Sequence, residues 1–138
     1  MSRELLLRRA LWAVAGFNAL GALLFAFPQL PPGRLAGLPA EVPGAYRAFV
    51  ALFILLFGGA YAWLARSEHP DRPMVLFGAI GKTSAFVLVT LLWLTGAVRG
   101  AGVLFASGDL VFAAIFFWCA RGGRAMASRR GGGHARAF

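Results

Sequence analysis

The chain has 138 residues, of which 59% are hydrophobic and only 14% are charged. A soluble domain carries about 25% charged residues, so this composition excludes an ordinary soluble domain. The single cysteine excludes an internal disulfide and a multi-cysteine metal site. Four apolar runs of about 18–25 residues use up most of the chain, and each is long enough to cross a bilayer as a helix.

The predicted fold is therefore an all-α integral membrane four-helix bundle. The expected spans cover residues 10–27, 46–65, 74–98 and 102–120, and residues 1–120 form one membrane domain. The basic start before the first run is similar to a signal peptide, but the run is long for one and no small-residue cleavage site follows it. We therefore expect the first run to be an uncleaved span.

The segments outside the predicted spans differ in composition. Residues 28–45 contain five prolines, which predicts a stiff connector with no more than a turn or two of helix, or alternatively a lid over the bundle. Residues 66–73 form a polar turn whose acidic and histidine residues match no metal-site spacing. Residues 121–138 are rich in Gly and Arg, which predicts a disordered basic tail.

The distribution of basic residues predicts the orientation in the membrane. Ten of the fourteen Lys and Arg lie in the N-terminal leader, the 66–73 turn and the tail, three lie in the segments on the other side, and the last is Lys82. Cytoplasmic segments carry the excess of basic residues, so both termini are expected in the cytoplasm and the protein in the inner (plasma) membrane. The net charge of +9 then favours contact between the tail and anionic lipid headgroups over nucleic-acid binding.

Lys82 and Asp109 are the only ionisable side chains well inside any of the apolar runs. Each costs about 2.5–3.5 kcal/mol at mid-membrane on an insertion scale, so a chain that carries both is expected to use them. A short turn joins the third and fourth spans, which predicts that these spans are antiparallel neighbours. A lysine stem would bridge the small difference in depth, and we predict an ion pair between Lys82 and Asp109.

Three further polar residues belong to the candidate intramembrane site. Asn18 lies at the same depth in the first span, where an interhelical hydrogen bond is its simplest role. Ser84 and Ser107 would complete the cluster if they face the interior. Tyr61 of the second span is expected to be an interface anchor, although its hydroxyl could also face the interior.

Four roles remain open for the charged pair. It could be a structural lock, meaning a contact that fixes which helices pair, or a proton or ion relay. It could also be a polar anchor for a small molecule, or an acid–base couple. A buried pair is weak evidence for stability, because desolvation can exceed the attraction, and better evidence for specificity or function.

The chain carries no catalytic signature. No nucleophile with an adjacent base, phosphate loop or metal motif is present, so we assign no catalytic residue, cofactor or metal. The sequence favours a non-enzymatic accessory or assembly protein, or a binder of a lipid-like small molecule, with a second copy or another membrane protein as partner. A small transporter or channel subunit that uses Lys82 and Asp109 as a relay is one alternative, and a membrane enzyme acting on an apolar substrate is another.

Two short motifs, one in each of the last two spans, carry a resemblance to known proteins. They are Gly81-Lys82 and Gly108-Asp109-Leu110 with Phe112-Ala113. These motifs resemble a group of small bacterial four-span proteins known only as hypothetical membrane proteins. The size and layout also resemble the DoxX-like group, in architecture alone. Both resemblances imply a four-span fold, and neither implies an activity.

The distribution of basic residues predicts the outcome of a topology experiment. Reporter fusions placed after Arg72 and after the tail should read cytoplasmic, and a fusion near Gly37 should read external. An external reading at the tail would require an odd number of spans and would contradict the four-span arrangement.

Overall fold

The computed structural model describes the backbone of residues 2–131 and the side chains of residues 2–121. The five helices are α1 (Arg3–Ala26), α2 (Pro31–Ala36), α3 (Gly44–Arg66), α4 (Arg72–Leu94) and α5 (Gly100–Gly131). No strand forms within residues 2–131. The helices α1, α3, α4 and the first part of α5 are each long and apolar enough to cross a membrane. The predicted all-α four-helix bundle is confirmed.

Local sequence signals set the helix boundaries. Ser2 caps α1, because its hydroxyl accepts a hydrogen bond from the backbone N–H of Leu5 at 3.3 Å. The basic leader is consequently part of the first helix. The third span was predicted to reach Val98, but α4 ends at Leu94. Gly96 has a φ of 78°, a left-handed conformation that stops a helix and that glycine adopts without strain.

The proline-rich connector contains one short helix, α2, and is otherwise irregular, in agreement with the predicted limit of a turn or two. Pro31 and Pro32 occupy the start of α2, where a missing backbone N–H costs no hydrogen bond. Gly33 lies so close to Pro28 that a Cβ atom would come within 2.6 Å of the Pro28 carbonyl oxygen. This close approach folds the connector back over the end of α1.

The C-terminal tail departs from the prediction. Helix α5 continues to Gly131, so the first part of the predicted disordered tail is helical. No proline follows Pro73, and the Arg, Ala and Met residues of this segment are good helix formers. Residues 132–138 lie outside the described residues, and disorder there stays a prediction.

The spans pack as two antiparallel pairs, α1 with α3 and α4 with α5, and the pairs meet where α1 contacts α5. No Cα atom of α3 lies within 8 Å of a Cα atom of α4 along the described helices. Side chains bridge these two helices instead. The ring of Tyr61 lies on Gly78, and the rings of Phe57 and Phe77 stack with their centroids 6.3 Å apart.

The best-packed part of the bundle lies at the end where α1 begins and α3 ends. Leu11, Val14, Val75 and Phe116 are almost completely buried there. Toward the other end, the apolar side chains of α3 and α4 are mostly exposed. Exposed apolar surface of this kind suits the hydrocarbon of a bilayer, because moving an apolar side chain from lipid into a helix contact gains no hydrophobic free energy.

The contact between Tyr61 and Gly78 generates a stability prediction. A Cβ atom at Gly78 would lie 2.8 Å from the Tyr61 ring, which cannot move away freely because it also packs against Phe116 at 5.7 Å between centroids. Gly78→Ala should therefore lower the free energy of unfolding in detergent by about 1–3 kcal/mol. Gly81→Ala is the matched control on the same helix, since nothing lies within 4 Å of its Cβ position. The control should be neutral or slightly stabilising, and equal effects of the two substitutions would contradict the packing described here.

Candidate functional site

The predicted ion pair between Lys82 and Asp109 is present. Lys82 lies on the buried face of α4 that Val75, Gly78 and Ala79 also occupy, as the helical repeat requires. Its ammonium Nζ donates a hydrogen bond to Asp109 Oδ1 at 2.5 Å. The short turn between α4 and α5 thus places the two charges side by side, as expected of antiparallel neighbours.

Asn18 joins the pair and extends it to the other two spans. Lys82 Nζ donates a second hydrogen bond to Asn18 Oδ1 at 2.7 Å. The amide Nδ2 of Asn18 in turn donates to the backbone carbonyl of Ile54 at 3.2 Å. We call Asn18, Lys82, Asp109 and the Ile54 carbonyl the polar cluster. It contains one group from each of the four spans, joined in a single hydrogen-bonded chain.

Aromatic rings enclose the ammonium group. The ring centroids of Phe17 and Tyr61 lie 5.1 Å and 5.9 Å from Lys82 Nζ, within the range of cation–π attraction. Two glycines make room for these rings, since a Cβ atom would come within 3.0 Å of Phe17 at Gly108 and within 2.8 Å of Tyr61 at Gly78. The ammonium is thereby surrounded by acceptors and ring faces.

Tyr61 is buried in the bundle, with 5% of its surface exposed, so the expected role as an interface anchor is wrong. Its ring fills the gap between α3 and α4, because these two backbones stay apart. Neither ring near Lys82 was assigned to the site from sequence. The available signal was the glycine opposite each ring, Gly78 and Gly108, although one chain alone does not say which ring meets which glycine.

Ser84 and Ser107 do not join the polar cluster. Both residues are exposed, Ser107 donates its hydroxyl to the carbonyl of Leu104 at 2.6 Å, and Ser84 makes no side-chain hydrogen bond among residues 2–121. Each serine is two positions from a charged residue of the cluster, and positions two apart do not share a helix face. The helical repeat alone could have excluded both from the predicted site.

Burial strengthens the electrostatic interactions of the polar cluster. Lys82 is 8% exposed and Asn18 is 6% exposed, while the Asp109 side chain keeps 16% of its surface. Removing both charges from water is costly, and the attraction offsets this cost only if further hydrogen bonds satisfy the ions. Asn18 supplies such a bond to Lys82. Asp109 accepts through Oδ1, and its Oδ2 has no hydrogen bond within the described side chains.

The polar cluster does not line either of two pockets on this bundle. One pocket, of about 140 Å³, lies under the proline-rich connector, and the other, of about 170 Å³, lies beside the start of α4. Within residues 2–121, no three His, Cys, Asp or Glu side chains come together in a group that could hold a metal ion. The polar cluster thus consists of hydrogen bonds between helices and lies apart from both pockets.

Comparison with known protein families, with curated proteins and with solved structures gives no match to this chain. The resemblance to small bacterial four-span proteins accordingly stays a prediction.

The hydrogen bonds of Asn18 predict a difference between two polar residues of the spans. Asn18→Leu removes an acceptor from Lys82 and a donor from Ile54, and should lower the stability in detergent by about 0.6–2 kcal/mol. Ser84→Ala is the matched control and should change the stability by less than about 0.5 kcal/mol. Ser84 is exposed, and its hydroxyl makes no hydrogen bond within residues 2–121. Thermal unfolding of the two variants tests this ranking, and a larger effect of Ser84→Ala would contradict it.

Proposed function

We propose that this chain is a non-enzymatic inner-membrane protein of the accessory or assembly type, in which the polar cluster is a structural lock. One observation carries the proposal. A single hydrogen-bonded chain runs from Ile54 through Asn18 and Lys82 to Asp109, and it takes one group from each span. A contact that includes every span can select one arrangement of all four helices.

The physics of helix association in lipid supports this role. Apolar helices gain no hydrophobic energy by leaving lipid, so their apolar faces specify little about register or partner. A charge without a partner in hydrocarbon is costly, and this cost penalises every arrangement that separates Lys82 from Asp109. The polar cluster would therefore supply specificity that the apolar surfaces lack.

The surroundings of Lys82 weigh against catalysis and against a polar anchor for a ligand. Both roles require a substrate or ligand to reach the ammonium. Its two hydrogen-bond acceptors and two neighbouring rings come from the protein itself, and neither described pocket includes it. A lock requires no such access.

A small transporter or channel subunit is the second candidate, and one feature of Asp109 favours it. Its side chain is partly exposed, and Oδ2 has no hydrogen bond among the described side chains. A carboxylate with a free oxygen beside a lysine could take up and release a proton. This candidate assigns Lys82 and Asp109 as a relay for protons or ions.

An accessory or assembly protein acts through other molecules. The proposed partners are membrane lipids, with anionic headgroups at the basic tail, and a second copy of the chain or another membrane protein. The proposed orientation places both termini in the cytoplasm, following the excess of Lys and Arg on that side.

A double-mutant cycle on the charged pair separates the candidates. Lys82→Met alone leaves the largely buried carboxylate of Asp109 without its partner and should cost about 3–5 kcal/mol of stability. Lys82→Met combined with Asp109→Leu should recover much of this loss, because two apolar side chains replace the pair. Unfolding of the purified variants in detergent measures both effects.

The phenotype in the cell decides between lock and relay. Deletion of the chain defines the phenotype, and the variants are then tested for complementation at matched abundance. If the pair is a lock, the double variant regains both stability and complementation. If the pair is a relay, the double variant regains stability but does not complement. Strictly additive, small effects of the two single substitutions would contradict any interaction between the residues.

A further inference from the structure

The pocket under the proline-rich connector is lined by apolar side chains and one basic side chain. Its walls are apolar side chains from the end of α1, the connector and the start of α3, among them Phe25, Val42 and Val50. One cation, Arg47, shares these walls. The pocket lies at the end of the bundle away from the best-packed region, and it includes no member of the polar cluster.

Arg47 has a buried donor without a partner. Its Nε is buried and makes no hydrogen bond within the described residues, and its Nη1 reaches only Gln29 Oε1, at 3.5 Å. A buried donor that bonds to nothing costs free energy, so native proteins rarely leave one unsatisfied. The missing acceptor is therefore expected to come from outside the chain.

The charges at this end favour an anion as that acceptor. The segments here contain Arg34, Arg47 and Arg99 against the single acidic residue Glu41, which is exposed and forms no ion pair among the described side chains. Arg34 is already occupied, because its Nε donates to the Gln29 carbonyl at 2.7 Å. Arg47 is thus the basic residue of the pocket, and its Nε still lacks an acceptor.

The start of α3 adds positive potential to the same place. Pro43 precedes the helix and provides no side-chain cap, so the backbone N–H groups of Gly44 and Ala45 have no partner in the described chain. The N-terminus of a helix carries a partial positive charge that attracts anions. Arg47 lies in this first turn, one turn or less from those free N–H groups.

We infer that this pocket binds an anionic phospholipid of the surrounding bilayer, with the phosphate on Arg47 and an acyl chain along α3. A guanidinium group matches the geometry of a phosphate and pairs with it through two donors. The pocket wall continues into the exposed apolar face of α3, where Phe49 and Phe53 are 62% and 59% exposed. Tyr46, also exposed, stands at the helix start, as aromatic residues do at a membrane interface. A soluble anion would use Arg47 but would leave this apolar wall without a ligand.

This inference goes beyond the proposed lock, since the lipid site shares no residue with the polar cluster. The test uses the full chain, purified in detergent and titrated with dioleoyl phosphatidylglycerol or with dioleoyl phosphatidylcholine. Native mass spectrometry measures the bound fraction of each lipid. The unmodified chain should prefer phosphatidylglycerol, and Arg47→Gln should weaken that binding by about tenfold, as expected for loss of a charge-assisted hydrogen bond.

Arg99→Gln is the matched control, because it removes the same charge from the same end of the bundle and Arg99 does not line the pocket. It should weaken phosphatidylglycerol binding by less than about threefold, as expected for an exposed charge. Equal losses for Arg47→Gln and Arg99→Gln would mean that only the general basic surface attracts the lipid, and would overturn the site.

Two further arms complete the test. Val50→Trp fills the apolar part of the pocket and keeps Arg47, so it should also weaken phosphatidylglycerol binding. If Arg47→Gln does not fold, Val50→Trp alone tests whether the lipid binds in the pocket. Unchanged binding by Val50→Trp would place the lipid outside the pocket and overturn the inference. Inorganic phosphate at the concentration of the lipid should not displace it, and displacement would show a site for a free anion.

Discussion

The buried ammonium of Lys82 is the constraint on which the rest of this structure depends. A lysine in a membrane span requires acceptors, and the bundle supplies them from Asp109 on α5 and Asn18 on α1. Asn18 passes the connection on to the Ile54 carbonyl of α3. Because α4 is not in close backbone contact with α1, the long lysine stem is what connects α4 to α1 at this level.

Glycines at the same level follow from this constraint. Gly58 lets α3 approach α1 where Asn18 bonds, since a Cβ atom there would lie 3.2 Å from Asn18 Cβ. Gly78 and Gly108 admit the rings that lie near the ammonium. The bundle is thus tightly packed from the polar cluster to the end where α1 begins and α3 ends. At the other end the packing is looser, and there the connector and the start of α3 leave the pocket in which the Nε of Arg47 lacks an acceptor.

Most of the fold could be predicted from the sequence, because a bilayer accepts few structures. A long apolar run must satisfy its backbone hydrogen bonds internally, so four such runs predict four helices. The departures arose from local backbone effects. Gly96 ends α4 before Val98 through its left-handed conformation, and α5 runs on to Gly131 in a segment that contains no proline. Hydropathy predicts which residues lie in the hydrocarbon, but the ends of a helix depend on local backbone conformation and need not coincide with the ends of the apolar run.

The candidate site likewise contains some contacts that follow from the sequence and others that only the tertiary structure shows. The sequence by itself determined that Lys82 and Asp109 pair, since both are costly in lipid and a short turn joins their spans. It also brought Asn18 to the correct depth. Only the tertiary structure decided that Asn18 bonds to Lys82 and that Tyr61 faces the interior, because these contacts depend on how each helix is rotated about its own axis. The Ile54 carbonyl could not be found from sequence at all, since every residue carries one and only the packed helices decide which carbonyl meets a side chain.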